Sequence, residues 1–216
     1  MDSYFQKKPM KAQHDFSNPI IVGDPEGDRD LRWEFPQLPG ARAEAEAVAK
    51  ELKSDALIGK DASKEKIISR LRDQSRTGLI YLATHGIADE KDPLDGGFLL
   101  LSGGRWTARE MGKVNLKGSR PLVVMSACQT GLGKDFDVGT IGMARAWQRA
   151  GASSVVMSLW NVDDAATRDL MLNFMRLDQQ KPPDKALQEA MKNAREKYPN
   201  DPALWAGFSV FGSPEL

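Results

Sequence analysis

Cysteine occurs once and histidine twice in 216 residues, so the chain has almost none of the side chains from which disulfides and metal sites are built. A single thiol cannot close an internal disulfide, which fits a reducing interior. With so few Cys and His, and with Asp89, Asp92 and Asp95 in no ligand spacing, no metal site is expected; these aspartates read as turn caps in a solvated loop. Charge of one sign is also missing. Thirty Lys and Arg against thirty Asp and Glu leave no formal net charge, hence no broad attraction to nucleic acid or to an anionic membrane. No apolar run approaches the roughly 18–20 residues that span a bilayer, and the start MDSYFQKKPMK lacks the apolar core of a secretory signal. The expectation is a soluble cytoplasmic chain without a cofactor. Its 41% hydrophobic content over this length suffices for one well-buried domain.

Read along the chain, residues 1–18 are polar and without period, a flexible lead-in to a domain over 19–216. Pro19–Gly23 predicts a buried strand turning sharply at Gly23-Asp24-Pro25, and Glu26–Pro39 a loop. Ala41–Lys53 is dense in helix formers and follows Pro39-Gly40, which predicts a helix. A weak strand at Ala56–Ile58 precedes a helix capped by Asp61 or Ser63 and running to about Asp73. Further strands are expected at Leu79–Thr84, Leu122–Ser126, Ser153–Leu159 and Phe208–Phe211. Phe98–Leu101 and Arg105–Thr107 read as a hairpin outside the main sheet, and Ala108–Met111 as a short helix. Cys128–Gly139 is expected to be a loop. Helices follow at Ile141–Ala150, ending at Gly151, from Asp163 or Asp164 to about Leu177, and over Asp184–Lys197. Strands alternating with helices, and apolar nearly throughout, predict an α/β domain with helices on both faces of a mostly parallel sheet of about six strands.

In such sheets the ligand site gathers at the carboxyl ends of the strands, and there stand His85 and Cys128. His85 ends the run LIYLATHG and Cys128 the run PLVVMSACQTG. Neighbouring parallel strands lie about 4.8 Å apart, so thiol and imidazole can converge there, the minimum equipment of a cysteine hydrolase. The imidazole takes the thiol proton and returns it to a leaving amine. The backbone N–H groups of Gly86 and Cys128, expected in turns with no following strand to consume them, are the candidates for an oxyanion hole. His14, in the polar leader, reads as solvated. Ser158–Asp164 (SLWNVDD) leaves the strand after Cys128 and should border the same edge. Trp160 could wall a substrate pocket there, and Asp163 or Asp164 could receive a basic side chain. A helix N-cap accounts for either aspartate equally well.

The runs YLATHG, VVMSACQTGLG, GMARAWQRAGASSVVMSLWNVDD and WAGFSVFG, with IIVGDP and LPGARAEAEAVAKEL before them, resemble CHAT domains of the caspase and separase clan. The resemblance covers about Pro19 to Gly212. It implies a caspase-like three-layer sandwich with a His85–Cys128 dyad, the oxyanion role for Gly86, and a protein substrate. The dyad members stand 43 positions apart, near the ~50 noted for caspases. Gln129 stands where many relatives carry glutamate. CHAT domains are commonly attached to tetratricopeptide or other sensor modules, which implies control by a regulatory sensor or partner protein. Together these readings predict a cysteine endopeptidase, with cleavage after a basic residue agreeing with the acidic pocket. The rival readings are a catalytically silent interaction domain and a non-proteolytic cysteine hydrolase. A flavodoxin-type nucleotide binder lacks support, because Gly23-Asp24-Pro25 offers no glycine-rich phosphate cradle.

Overall fold

Strands that are apolar at every position need cover on both faces, and here they receive it. The computed structural model describes residues 16–27, 35–73, 76–89, 91–116, 118–129, 138–160 and 163–212; at residues 127–129, 138–141 and 164 it describes the backbone alone. The lead-in up to residue 15, with His14, and residues 130–137 of the expected loop lie outside the described residues.

The strands are β1 (Ile20–Pro25), β2 (Ala56–Gly59), β3 (Leu79–Ile87), β4 (Phe98–Leu101), β5 (Gly104–Thr107), β6 (Leu122–Gln129), β7 (Ser154–Ser158) and β8 (Phe208–Gly212). The helices are α1 (Pro39–Glu51), α2 (Lys64–Asp73), α3 (Ala108–Met111), α4 (Val138–Ala150), α5 (Asp164–Asp178) and α6 (Pro183–Lys197). Six strands run in the order β2-β1-β3-β6-β7-β8. The first four pairings along that path are parallel, and β8 closes it antiparallel to β7.

Strand alternation sorts the side chains into two cores. Ile80 and Leu82 of β3 join Val123 and Met125 of β6 beneath Ile67 of α2, Met111 of α3 and Trp147 of α4. Leu79, Tyr81 and Ala83 join Leu122 and Val124 beneath Val48 of α1, Phe174 of α5 and Leu187 of α6. Three layers result, and each fully buried Leu, Ile or Val contributes about 1.5–3 kcal/mol by leaving water. Phe16, at the end of the expected lead-in, also packs on the second core.

Most element types match the sequence reading, and local signals explain their ends. Ser63 Oγ accepts from the Lys66 N–H and caps α2. Thr107 and Glu110 form a reciprocal capping box that starts α3. Gly151 ends α4 at φ 117°, a conformation glycine takes without strain.

Five expectations are corrected. Strand β3 does not stop at Thr84 but runs through His85 and Gly86 to Ile87, because β4 pairs with its end, Gly86 opposite Leu99 and Ile87 opposite Phe98. The β4–β5 hairpin is therefore joined to the main sheet rather than lying outside it. Strand β6 likewise continues through Cys128 to Gln129, held by the extended β3 beside it, so Cys128 is a strand residue and not the start of a loop. At the far end of that expected loop, Gly139 already belongs to α4. Strand β1 also passes beyond Gly23 to Pro25, by way of a bulge between Gly23 and Pro25.

Gly23 sets how closely α1 approaches the sheet. A Cβ there would sit 2.5 Å from Ala45 Cβ and 2.8 Å from the Ala41 carbonyl oxygen. Gly23→Ala therefore forces α1 off β1 and should cost about 1–3 kcal/mol in urea denaturation. Unchanged stability would show that α1 does not bear on this point.

Candidate active site

The chain leaves β1 toward β2 through α1, on one face, and leaves β2 toward β3 through α2, on the other. The carboxyl ends of β1 and β3 thus border the point where connections diverge, the usual position of a ligand crevice in an open α/β sheet. His85 lies at that end of β3. Its parallel neighbour on β6, in register, is Cys128. The pairing is continuous from Leu79 opposite Leu122 through His85 opposite Cys128 to Gly86 opposite Gln129. In-register positions of neighbouring strands belong to the same face. For β3 that is the face of Tyr81 and Ala83, which α1, α5 and α6 cover.

The imidazole of His85 is buried, 4% exposed. Its Nε2 lies 2.8 Å from the carbonyl oxygen of Pro36. A carbonyl only accepts, so Nε2 carries the proton and donates, and in the neutral ring Nδ1 is the basic nitrogen. Nδ1 is buried and has no hydrogen-bond partner among the described residues. Leaving such an acceptor unsatisfied costs about 1–3 kcal/mol, so an unfilled buried acceptor invites a functional explanation. The ring is also held sideways. Phe35 stands 5.1 Å from it between centroids, tilted by 42°, and Phe98 of β4 meets Phe35 edge-on at 6.4 Å. The Pro36 carbonyl and Phe35 were not singled out in the sequence. Their segment reads as an unpatterned loop, and no residue type announces a backbone acceptor.

Beneath this edge lies a buried polar chain. Tyr81 OH donates to Glu44 Oε1 at 2.5 Å, tying α1 to β3, and the Ser126 hydroxyl of β6 bonds the same phenol. Burial, and after it the Glu44 charge, raise the Tyr81 phenol well above its ordinary value near 10.

The remaining sequence candidates are placed as follows. Gly86 lies inside β3, with Leu99 opposite on one side and Gln129 on the other. The premise that Gly86 and Cys128 sit in turns with no following strand is therefore overturned. Trp160 follows β7, half-buried against the second core, and its Nε1–H donates to the Ala203 carbonyl at 3.1 Å. Asp163, and not Asp164, caps α5: its Oδ1 accepts from the N–H groups of Ala165 and Ala166, both at 3.0 Å. Asp163 is exposed; Asp164 is described in backbone alone. Asp89 and Asp92 fold their own turn by accepting nearby N–H groups, and Asp95 pairs with Arg109.

The CHAT domain family matches residues 4–213. The chain belongs to the CHAT family. Tetratricopeptide repeat protein 28 of Homo sapiens is 26% identical over 98% of this CHAT chain, which spans only 10% of that protein's length. Among solved structures, the Arg specific cysteine proteinase gingipain R superposes on this CHAT domain with a TM-score of 0.58 at 15% identity, covering 95% of this chain and 48% of that one. The complex of Porphyromonas gingivalis RgpB pro- and mature domains gives a TM-score of 0.56 at 15% identity, over 94% and 49% of the two chains. These likenesses show that the CHAT domain here has the caspase-like cysteine peptidase fold.

A phenol whose folded pKa lies above its unfolded value contributes stability below about pH 10 and loses it as pH rises through the folded value. Tyr81 should therefore stay protonated where free phenols ionise, and the protein should weaken on the alkaline side. Denaturation between about pH 8 and 11 checks this; an alkaline limb of equal slope in wild type and Tyr81→Phe would contradict it.

Proposed function

We propose that this CHAT domain is a cysteine endopeptidase whose dyad is His85 and Cys128. The observation that carries the reading is the register of β3 on β6, together with a His85 ring whose Nε2 is engaged and whose Nδ1 meets no partner among the described residues. In this mechanism Nδ1 takes the thiol proton and the sulfur attacks the scissile carbonyl carbon. The Gly86 N–H, the donor the family resemblance implies, and the Cys128 N–H steady the oxyanion once released from the strand ladder in which both residues lie here. As the tetrahedral species collapses, the C–N bond breaks and the proton on Nδ1 goes to the departing amine. Water then hydrolyses the thioester, with His85 acting as base and then as acid. The Pro36 carbonyl holds the ring in the tautomer this sequence needs and can steady the imidazolium.

The preferred substrate is a protein cut after a basic residue, with Asp163 or Asp164 as counter-charge and Trp160 as a pocket wall. The cap role of Asp163 is compatible with this, since two N–H bonds hold the carboxylate in place. The Arg specific gingipain R shares the fold and supports the same preference. A regulatory sensor or partner protein controlling the domain is the natural complement, as its relative is named for tetratricopeptide repeats. That same relationship favours the second reading, a silent interaction domain.

Cys128→Ala should abolish cleavage of a protein substrate while leaving the fold intact, and an arginyl or lysyl peptidyl ketone should label Cys128 stoichiometrically only when His85 is present. Retained turnover in Cys128→Ala refutes the dyad; absence of labelling with and without candidate partner proteins favours the scaffold.

A further inference from the structure

Asp24 is a buried carboxylate, 5% exposed, that the proposed chemistry does not use directly. It is the extra residue of the bulge between Gly23 and Pro25 at the carboxyl end of β1, and its φ of 44° is unusual for a side chain other than glycine. Bulges of this kind re-aim a side chain at the end of a strand and recur beside active sites. Here the side chain meets the start of α1. Oδ1 accepts the Leu38 N–H at 2.7 Å, and Oδ2 accepts Arg42 Nε at 3.0 Å. Leu38 is the N-cap of α1 and has no capping group of its own, so Asp24 supplies the cap from a neighbouring strand. Two residues before Leu38 is the Pro36 carbonyl that fixes His85, and beside it the Phe35 ring that leans on the imidazole.

We propose that Asp24 is a positioning residue for His85, acting through the Leu38 N–H to hold the Phe35–Leu38 segment and hence the Pro36 carbonyl. The inference rests on the dyad reading for its consequence in catalysis, but the contact it concerns can be tested without it. Of the two carboxylate bonds, the one to Leu38 is the working one. The bond to Arg42 ends on a side chain that is itself half exposed and lies a turn further along α1. The ion pair is thus expected to contribute little.

The test is the tautomer of His85 read by long-range 1H–15N NMR of the imidazole in a Cys128→Ala background, with His14→Gln leaving one histidine to observe. The parent should show a single Nε2–H tautomer at neutral pH. Asp24→Gly removes the carboxylate while giving that φ a residue that tolerates it, so the fold should survive. Its His85 signals should move to averaged or broadened values. Asp24→Asn keeps an oxygen for Leu38, and Arg42→Ala keeps Asp24 itself; both should retain the parent signature. With Cys128 restored, Asp24→Gly should lower kcat roughly 10- to 100-fold with KM little changed. A parent-like His85 in folded Asp24→Gly overturns the proposal, as does a scrambled His85 in Asp24→Asn or Arg42→Ala, which decide the matter if Asp24→Gly fails to fold. Because the spectra need neither thiol nor substrate, a failure of the dyad would show in the cleavage assay and leave this result standing.

Discussion

The parallel pairing of β3 with β6 is the constraint on which the rest depends. It lies in the middle of the sheet, is apolar on both faces, and runs unbroken for eight residue pairs from Leu79–Leu122 to Gly86–Gln129. Sliding one strand by a residue would transfer its whole inward set to the other face, exchanging Tyr81 and Ala83 with Leu82 and Thr84 between two differently filled cores. The two cores thus lock the register, and the register brings His85 opposite Cys128. Chemistry at the end of the pairing is bought by packing along its length.

Around that pairing, each neighbouring element fixes one further degree of freedom. The hairpin of β4 and β5 extends β3 past the histidine, and Thr84 Oγ1 donates to the Leu100 carbonyl at 2.6 Å to hold it there. The segment leaving β1 supplies the acceptor that selects the histidine tautomer. Helix α1 is seated by the absence of a side chain at Gly23, by the Asp24 carboxylate and by the Tyr81–Glu44 bond. These are short, mostly buried interactions, and they converge on the imidazole from several sides. In the proposed mechanism, a ring held this way needs little reorganisation to act as base, which is the general advantage of a preorganised site. The same arrangement buries the imidazole and leaves Nδ1 without a partner among the described residues.

Much of this was legible in the sequence because it is written in local patterns. Apolar runs such as PIIVG and SSVVMSL announce buried strands, ARAEAEAVAKELK announces a helix, and Ala108–Met111 reads as the short helix that is found. The strand ends were harder. Gly86 and Cys128 read as turn residues, since small residues after an apolar run usually mark one, yet β4 pairs with the end of β3 and keeps it extended, and β3 in turn keeps β6 extended through Cys128. No single-segment pattern carries that information. The site was legible to the extent that rare side chains were its parts: one cysteine and one well-placed histidine stand out in 216 residues. The Pro36 carbonyl did not, because every residue has a carbonyl and only the fold selects one. Asp163 illustrates a middle case, where the sequence offered a cap and a pocket for the same carboxylate and the structure shows the cap.

The central claim is that the Cys128 sulfur and the His85 imidazole share a proton, and the most direct measurement is the pH dependence of Cys128 alkylation by iodoacetamide in wild type and His85→Ala. As the sole thiol, Cys128 reports without interference. The account predicts that wild type reacts several-fold faster at about pH 6–7, the two curves converging above about pH 8.5 where a free thiol ionises unaided. Superimposable curves across that range would contradict it.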